Sequence, residues 1–205
     1  MLMGLVLGIA GCNRHSTGSD PVFDLSKPDN LPADVIQVSK TPGFSPEVRA
    51  ESKMGPETVW AGYSKAFTIE VPVSLAVQKK PTGDFTAGSF YTVSGGSVSF
   101  LVLDPVDYKL EGIVPKKYLS DRKTELLSRT ANSSDSSVLK ANEWIGSQWD
   151  SLSLKGEFHA RYLFFSDRDS LQVSFRWKEG DKRQEEECAK VLADGLWSLK
   201  VVSEP

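Results

Sequence analysis

The chain has 205 residues, of which 40% are hydrophobic and 25% charged, a balance typical of one globular domain with a tail. Its formal charge is −3 and its pI is about 5.5, whereas nucleic-acid-binding domains normally carry a basic excess. Composition therefore argues against a nucleic-acid partner. The two cysteines are Cys12 and Cys188, so modification of either one leaves no disulfide framework.

The N-terminal stretch, residues 1–11, is almost wholly apolar and carries no charged side chain. Polarity begins abruptly after it, at Asn13, Arg14, His15 and Ser16. The stretch is too short for a bilayer, because a crossing helix needs about 20 apolar residues. It is typical of the apolar core of an export signal, which is removed from the mature protein.

The end of this stretch, Ile9-Ala10-Gly11-Cys12, resembles the lipobox of bacterial lipoproteins: a branched apolar residue, two small residues and a cysteine. The resemblance implies that residues 1–11 are a signal peptide and that acyl chains such as palmitate are attached to Cys12. Two or more acyl chains give stable anchoring. It also implies a lipid-anchored protein of the bacterial cell membrane or outer membrane, facing the periplasm or the exterior.

The apolar run lacks one feature of an export signal. No Lys or Arg precedes it, although a signal peptide normally opens with a positive region. Either the true start lies upstream, or the lipobox interpretation is wrong and the chain opens on an apolar segment with a chance cysteine.

Residues 12–58 are predicted to form a lipidated N-terminus and flexible tether in front of a globular domain at 59–205. Six of the eleven prolines lie in this stretch: Pro21, Pro28, Pro32, Pro42, Pro46 and Pro56. Such a composition buries too little apolar surface to offset the cost of ordering. Two short apolar patches inside it, at 22–23 and 35–38, are candidates for docking onto the domain.

Apolar periodicity and turn residues predict two helices and several strands in the domain. Outside two hairpins, the predicted elements are strands at 66–71, 73–78, 138–145 and 148–154 and helices at 115–131 and 182–198. Pro72 ends the first strand or confines it to a sheet edge, and Gly146 separates the last two strands. Pro115 suits the first position of a helix. Asp181 and Gln184 form a capping-box pattern before the last helix.

The first hairpin is predicted from the Gly-Gly pair at 95–96, which suits a two-residue turn with positive φ angles. That turn places Val93 opposite Val98 and Tyr91 opposite Phe100. Both faces of its strands carry apolar residues, which is typical of strands inside a sheet.

The second hairpin is predicted around a four-residue loop at 167–170. That loop places Phe164 opposite Val173 and Arg161 opposite Arg176. The large apolar residues then share one face, which supports the pairing.

The order of elements is strands, helix, strands, helix, and hairpin signals dominate. We therefore expect an α+β fold, with a mainly antiparallel sheet of about six to eight strands packed by two main helices. A domain of about 145 residues buries enough surface to fold alone.

Residues 63–72, Tyr-Ser-Lys-Ala-Phe-Thr-Ile-Glu-Val-Pro, are similar to the opening of PsbP/Mog1/DcrB-like domains. The middle helix, the late aromatic hairpin and a closing helix that ends in an apolar phrase at 196–199 are similar as well, so the match covers about residues 62–202. The Gly-Trp that often follows the proline in that family is replaced here by Val73 and Ser74. The resemblance implies an α/β sandwich used as a binding or assembly module, with no shared catalytic residues.

Few side chains of the predicted domain are candidates for chemistry. His159, its only histidine, is either a general base or anion contact or a solvated strand residue. Arg161 and Arg176 are like charges placed face to face, which is unfavourable. Either a neighbouring carboxylate such as Glu143 or Asp150 relieves their repulsion, or the pair binds an anion or an acidic partner. One histidine and no clustered cysteines give little support for a metal site, and no cofactor is predicted.

Two aspartate pairs and Cys188 could also suggest a functional site, but we expect each of them to have a structural role. The pairs Asp104/Asp107 and Asp167/Asp169 could bind calcium or do acid–base work. We instead expect Asp167 and Asp169 to supply turn chemistry and Asp104 to end a strand just before Pro105. Cys188 lies on the apolar side of the last predicted helix, so we expect an inert core residue rather than a redox thiol.

The leading hypothesis is a non-catalytic binding or assembly module of the bacterial envelope. The lipid anchor attaches it to the membrane, and its partner is another envelope protein. The alternative is an envelope hydrolase whose cleft is built from scattered polar residues such as His159 and Asp150. A structural component of the envelope is a third interpretation.

Overall fold

The structure, a computed structural model, describes residues 23–28, 33–38, 65–78, 88–103, 115–132 and 137–202. These residues form ten strands and two helices. In chain order they are β1 (Ala33–Val38), β2 (Phe67–Pro72), β3 (Ala76–Gln78), β4 (Ser89–Thr92), β5 (Ser97–Leu103), α1 (Pro115–Asn132), β6 (Val138–Ala141), β7 (Trp144–Leu154), β8 (Glu157–Phe165), β9 (Ser170–Lys178), α2 (Lys182–Ser198) and β10 (Lys200–Val201).

Seven strands form one antiparallel sheet in the order β3-β4-β5-β9-β8-β7-β6. A small antiparallel sheet has the order β1-β2-β10. The predicted α+β class is therefore confirmed, with a mainly antiparallel main sheet and two helices. Both helices lie where the periodicity predicts them. Strand β5 lies inside the sheet, as expected for a strand with two apolar faces.

The main core lies between the seven-stranded sheet and a layer formed by α2 and the small sheet. We call the sheet face toward this layer the inner face. The largest fully buried side chains of this core are Trp144, Phe67, Phe90, Phe100, Phe164, Ile69 and Leu171. Helix α2 contributes Cys188, Val191, Leu192 and Leu196, which recur at helical spacing and are fully buried.

The opposite, outer face of the sheet is covered by α1 over part of its area. Leu126 of α1 packs there against Leu101, Ile145, Leu163 and Phe165, which form a second, smaller core cluster. These residues come from β5, β7 and β8, so α1 covers one end of those strands. The other end of β7, β8 and β9 carries the polar and cationic side chains of the sequence prediction.

The N-terminal segment contributes to the folded unit. Strand β1 pairs antiparallel with β2, and Phe23 and Leu25 are each only 8% exposed. The Trp197 indole nitrogen donates a hydrogen bond of 3.0 Å to the Leu25 carbonyl. The expected docking of the apolar patches is thus confirmed for Phe23 and for 35–38. The folded unit includes parts of the segment that composition assigns to a tether.

The first hairpin has a different register from the predicted one. Val98 faces Phe90 rather than Val93. The connecting loop is wider than a two-residue turn: the Thr92 nitrogen donates to the Gly96 carbonyl at 2.9 Å, and the Gly96 nitrogen donates to the Thr92 hydroxyl at 2.8 Å. The Glu187 carboxylate on α2 also accepts hydrogen bonds from the backbone and the hydroxyl of Ser94. Hydrogen bonds within the loop and a contact with a distant helix therefore hold this turn together.

The second hairpin is shifted by two residues from the predicted register. Phe164 faces Leu171 rather than Val173. The loop begins earlier than predicted, because the backbone nitrogen of Ser166 donates to the carbonyl of Asp169 at 3.0 Å and its hydroxyl accepts from the Asp169 nitrogen at 3.0 Å. A shift of two leaves every side chain on its predicted face.

The turn between β6 and β7 lies at Asn142 rather than at Gly146. Asn142 adopts a positive φ of 53°, and Ala141 faces Trp144 across the turn. Gly146 is instead inside β7, where a Cβ atom would lie 2.2 Å from the carbonyl oxygen of Leu163. The glycine is explained by this close approach and not by turn geometry.

Candidate functional site

The candidate site is the part of the outer face that β7, β8 and β9 form beyond α1. Side chains alternate between the two faces of a strand, and the inner positions of β8 and β9 are filled mostly by large apolar residues. We call the exposed set the outer patch; its members are Trp149, Leu152, Leu154, Glu157, His159, Arg161, Ser174 and Arg176.

Strand pairing sets the neighbours within the outer patch. His159 on β8 faces Leu152 on β7 and Arg176 on β9. Arg161 faces Ser174 on β9, so the prediction that it lies opposite Arg176 is wrong. The two-residue shift of the hairpin turns the two arginines into diagonal neighbours. Such positions are about 7–8 Å apart, which relieves direct repulsion and keeps both within reach of one ligand.

Glu143 and Asp150, the two carboxylates expected to relieve the repulsion between the arginines, lie apart from each other. The backbone of Asp150 on β7 pairs with that of Arg161; the side chain of Asp150 is not part of the described structure. Glu143 is exposed in the turn before β7, at the far end of that strand. Of the two, only Asp150 has a backbone position next to an arginine of the patch.

Trp149 and Arg161 form a contact that sequence reasoning missed. The pairing of β7 with β8 shifts between Gln148 and Asp150, which makes Trp149 the extra residue of a β-bulge. The guanidinium carbon of Arg161 lies 5.4 Å from the centroid of the Trp149 ring. This is cation–π geometry, so the ring holds the arginine in place on the sheet.

A depression of about 380 Å³ opens on the outer patch. Its lining includes Leu152, Leu154, His159, Arg161 and Ser174. Leu152 and Leu154 are 51% and 52% exposed, so one wall is apolar and accessible. The other wall is polar and includes a permanent positive charge. The structure thus brings His159 and Arg161 together, and it places Arg176 across from His159.

Sequence reasoning missed the apolar wall, although a signal was present. Leu152 and Leu154 alternate with Ser151 and Ser153, as in any half-buried strand. Alternation does not say which face is buried, and the bulge at Trp149 changes the phase of the strand.

His159 lies beside a carboxylate on its own strand. Its Nε2 atom is 3.4 Å from a carboxylate oxygen of Glu157, and the two side chains are 41% and 49% exposed. Both groups face solvent, so the imidazole and the carboxylate have high-dielectric surroundings that weaken their interaction. A histidine–carboxylate pair is one element of acid–base chemistry.

The aspartate pairs of the sequence have separate locations. Asp167 forms an ion pair of 2.7 Å with Lys123, and Asp169 forms one of 2.8 Å with Lys65. Within the described ranges, no group of three or more His, Cys, Asp or Glu side chains is arranged to hold a metal ion. Asp104, Asp107 and Cys12 lie outside those ranges.

Cys188 is a free cysteine with no exposed surface. Burial, together with the charge of Glu187, raises the pKa of its thiol to about 12. The reactive thiolate is therefore strongly disfavoured, as expected for a core residue.

Comparisons with known proteins give little further information. Among the described residues, no helix combines the length and apolarity needed to cross a membrane. No protein-family model and no curated protein matches the chain. A solved structure of a protein from Bacteroides thetaiotaomicron VPI-5482 is similar, with a TM-score of 0.37 and 17% identity. The match covers 67% of this chain and 46% of that one, so the chain spans less than half the length of that protein.

Proposed function

We propose that this protein is a lipid-anchored protein of the bacterial envelope whose α+β domain is a non-catalytic binding or assembly module. The observation that carries the proposal is Ile9-Ala10-Gly11-Cys12, which stands where the apolar stretch ends and the polar chain begins. Acylation of Cys12 holds the domain at the cell membrane or outer membrane, facing the periplasm or the exterior.

The outer patch supports a binding role for the domain. Its apolar and cationic side chains project from three paired strands, which hold them in fixed positions. Exposed apolar groups next to arginines are typical of recognition surfaces. The resemblance of residues 63–72 to PsbP-like domains also favours a binding or assembly module, and we propose another envelope protein as its partner.

The docked N-terminal segment supports a short connection to the anchor. Phe23 packs against Tyr162 and Phe175 with ring centroids 5.3 and 5.2 Å apart. Ten residues, 13–22, then separate Cys12 from the domain. A fully extended chain of this length spans at most about 35 Å. The domain of a lipidated protein is therefore held near the membrane surface.

Lipidation is tested with the full chain expressed in a bacterial host. The wild-type protein is expected in the membrane fraction with an acyl mass on its mature N-terminus, and Cys12→Ser is expected in the soluble fraction without it. Cys188→Ala is the matched control, because it removes the other cysteine and leaves the signal intact. Membrane fractionation of Cys12→Ser equal to wild type, with no acyl mass on either protein, would refute the proposal.

An envelope hydrolase is the second candidate. The observation in its favour is that His159, which lies 3.4 Å from Glu157, shares the depression with the hydroxyl-bearing Ser174. A hydrolase requires that Ser174→Ala and His159→Gln each abolish turnover of an activated ester by the full chain. Equal residual rates in wild type and both variants would exclude a hydrolase built on Ser174 and His159.

A further inference from the structure

We infer that the depression on the outer patch binds an amphipathic anion, a molecule with one carboxylate or phosphate group attached to an alkyl chain. This inference rests on the proposed binding role and specifies the ligand class. The ligand is recognised by two walls of different chemistry, one apolar and one cationic.

The apolar wall fits the alkyl chain. Leu152 and Leu154 are two residues apart on β7, so they project side by side from the same face. Each is about half exposed. An alkyl chain laid along them removes apolar surface from water on both partners, which tightens binding roughly fourfold for each methylene group buried.

The polar wall fits the anionic group. Arg161 carries five N–H donors in a planar fork whose geometry matches a carboxylate or phosphate. Its position over Trp149, 5.4 Å from the ring centroid, restricts the guanidinium before a ligand arrives. Ser174 and His159 line the same wall and add hydrogen-bonding groups.

The size of the depression favours a small amphiphile over a protein segment. Its volume of about 380 Å³ lies at the lower end of the range of small-molecule sites, roughly 300–1,000 Å³. A stable protein interface buries about 800 Å² on each partner, which is more than the seven residues that line the depression provide. The same chemistry has two sources near a membrane: a free single-chain amphiphile and an anionic phospholipid.

The first test is calorimetric titration of the full mature chain carrying Cys12→Ser. Decanoate, below its micellar concentration, is the probe, decanol is the uncharged control, and acetate is the control without a chain. We expect decanoate to bind at least tenfold more tightly than either control. Because this variant has no acyl site, the result does not depend on lipidation, and failure of the anchor is distinguishable from failure of this inference.

The residues are tested with two matched pairs of variants. Arg161→Gln is compared with Lys190→Gln, which removes an exposed charge on α2. Leu152→Ser is compared with Val35→Ser, which changes a 68% exposed residue of the small sheet. Decanoate affinity is expected to fall at least tenfold in the first member of each pair and to stay unchanged in the second. Equal affinity for decanol and decanoate, or equal losses within a pair, would overturn the inference.

A vesicle sedimentation assay identifies the source of the ligand. The same chain is sedimented with vesicles of phosphatidylglycerol and, separately, of phosphatidylcholine. Decanoate binding that Arg161→Gln removes, without cosedimentation with either vesicle, supports a free amphiphile. Cosedimentation with phosphatidylglycerol alone, also lost in Arg161→Gln, supports a membrane phospholipid. Binding of neither probe overturns the inference for both sources.

Discussion

The carboxylate of Glu187 on α2 accepts two hydrogen bonds from Ser94, one from the backbone nitrogen at 2.9 Å and one from the hydroxyl at 2.5 Å. Nε of Arg183 donates a third, at 3.0 Å. Burial by itself would raise the pKa of Glu187, but the bonds from Ser94 and the hydrogen bond and charge of Arg183 hold that pKa below its ordinary value. The first turns of α2 are thereby joined to the β4–β5 loop.

Glu187→Gln is expected to lower the free energy of unfolding by about 1–3 kcal/mol at pH 7, because two partly buried donors of Ser94 lose a charged acceptor. The folded-state pKa lies below the unfolded-state value, so this stabilisation is present above the unfolded pKa of about 4.5 and is lost as pH falls through the folded pKa. Urea unfolding of wild type and Glu187→Gln at pH 7 and at pH 3 measures the stability that the substitution removes at each pH.

The control for that experiment is Glu186→Gln, which changes an exposed neighbour on the same helix. It is expected to alter stability by less than about 0.5 kcal/mol. A deficit of Glu187→Gln that is equally large at pH 7 and at pH 3 would contradict a role for the ionised carboxylate.

Phe23→Ala is expected to release the N-terminal segment from the domain. The ring packs against Tyr162 and Phe175. Two residues further along the chain, the carbonyl of Leu25 accepts a hydrogen bond from the Trp197 indole. Hydrogen exchange of the Trp197 indole should become much faster. The loss of stability should be about 1–3 kcal/mol, less than for a central phenylalanine, because a terminal segment undocks locally.

The matched control is Val35→Ala, at a 68% exposed position of the adjoining strand β1. It should leave exchange of the Trp197 indole at the wild-type rate. Protection of that indole in Phe23→Ala equal to wild type would show that the segment is held without its aromatic contact.

Asp194 on α2 is a source of pH-dependent stability of the opposite sign. It is buried, and that burial, together with the charge of Glu70, raises its pKa from 3.8 to about 6. Between these values the folded state holds a proton that the unfolded state releases, so stability falls as pH rises through this window. Asp194→Asn is expected to be more stable than wild type at pH 7.5 by roughly 1–3 kcal/mol and equally stable near pH 4.

Thermal unfolding at the two pH values tests this. Glu70→Gln provides a comparison, because it removes only the smaller of the two causes and should give a smaller gain at pH 7.5. A difference in Tm between Asp194→Asn and wild type that is the same at pH 4 and pH 7.5 would exclude the carboxylate as its origin.

Features encoded in local periodicity could be predicted from the sequence. The buried stripe of α2 around Val191 and the inner face of β9 around Phe175 follow from spacings of 3.6 and 2 residues. The hairpin registers could not be predicted from the turn residues alone. In the second hairpin, hydrogen bonds between Ser166 and Asp169 close the loop one residue earlier than predicted, and in the first the loop also bonds to α2. Glu187 is 93 residues from Ser94, and no local pattern contains that bond.

The candidate site was predictable to a similar extent. Alternation places His159 and Arg161 on the polar face of β8, where the structure has them. The apolar wall formed by Leu152 and Leu154 depends on the phase of β7 after the bulge at Trp149, which strand alternation does not reveal. The small sheet was also missed, because β1 lies in a proline-rich segment with the composition of a tether.

Gly146→Ala tests where the chain turns between β6 and β7. The new methyl group would lie 2.2 Å from the Leu163 carbonyl oxygen and 2.5 Å from the Phe164 ring. The oxygen belongs to the paired strand β8, so it cannot move without disturbing the sheet. We expect a loss of about 3 kcal/mol in urea unfolding, the upper end of the usual cost of an overpacked core.

Gly156 provides the contrast, since it is a true turn glycine. Its φ is +80°, and a Cβ there would meet no atom within 4 Å. Gly156→Ala therefore introduces backbone strain without a clash and should cost about 1–2 kcal/mol. If Gly146 were also a turn glycine in open space, the two variants would lose similar amounts of stability. A clearly larger loss in Gly146→Ala confirms that the residue is packed inside β7, and a loss below 1 kcal/mol would refute that position.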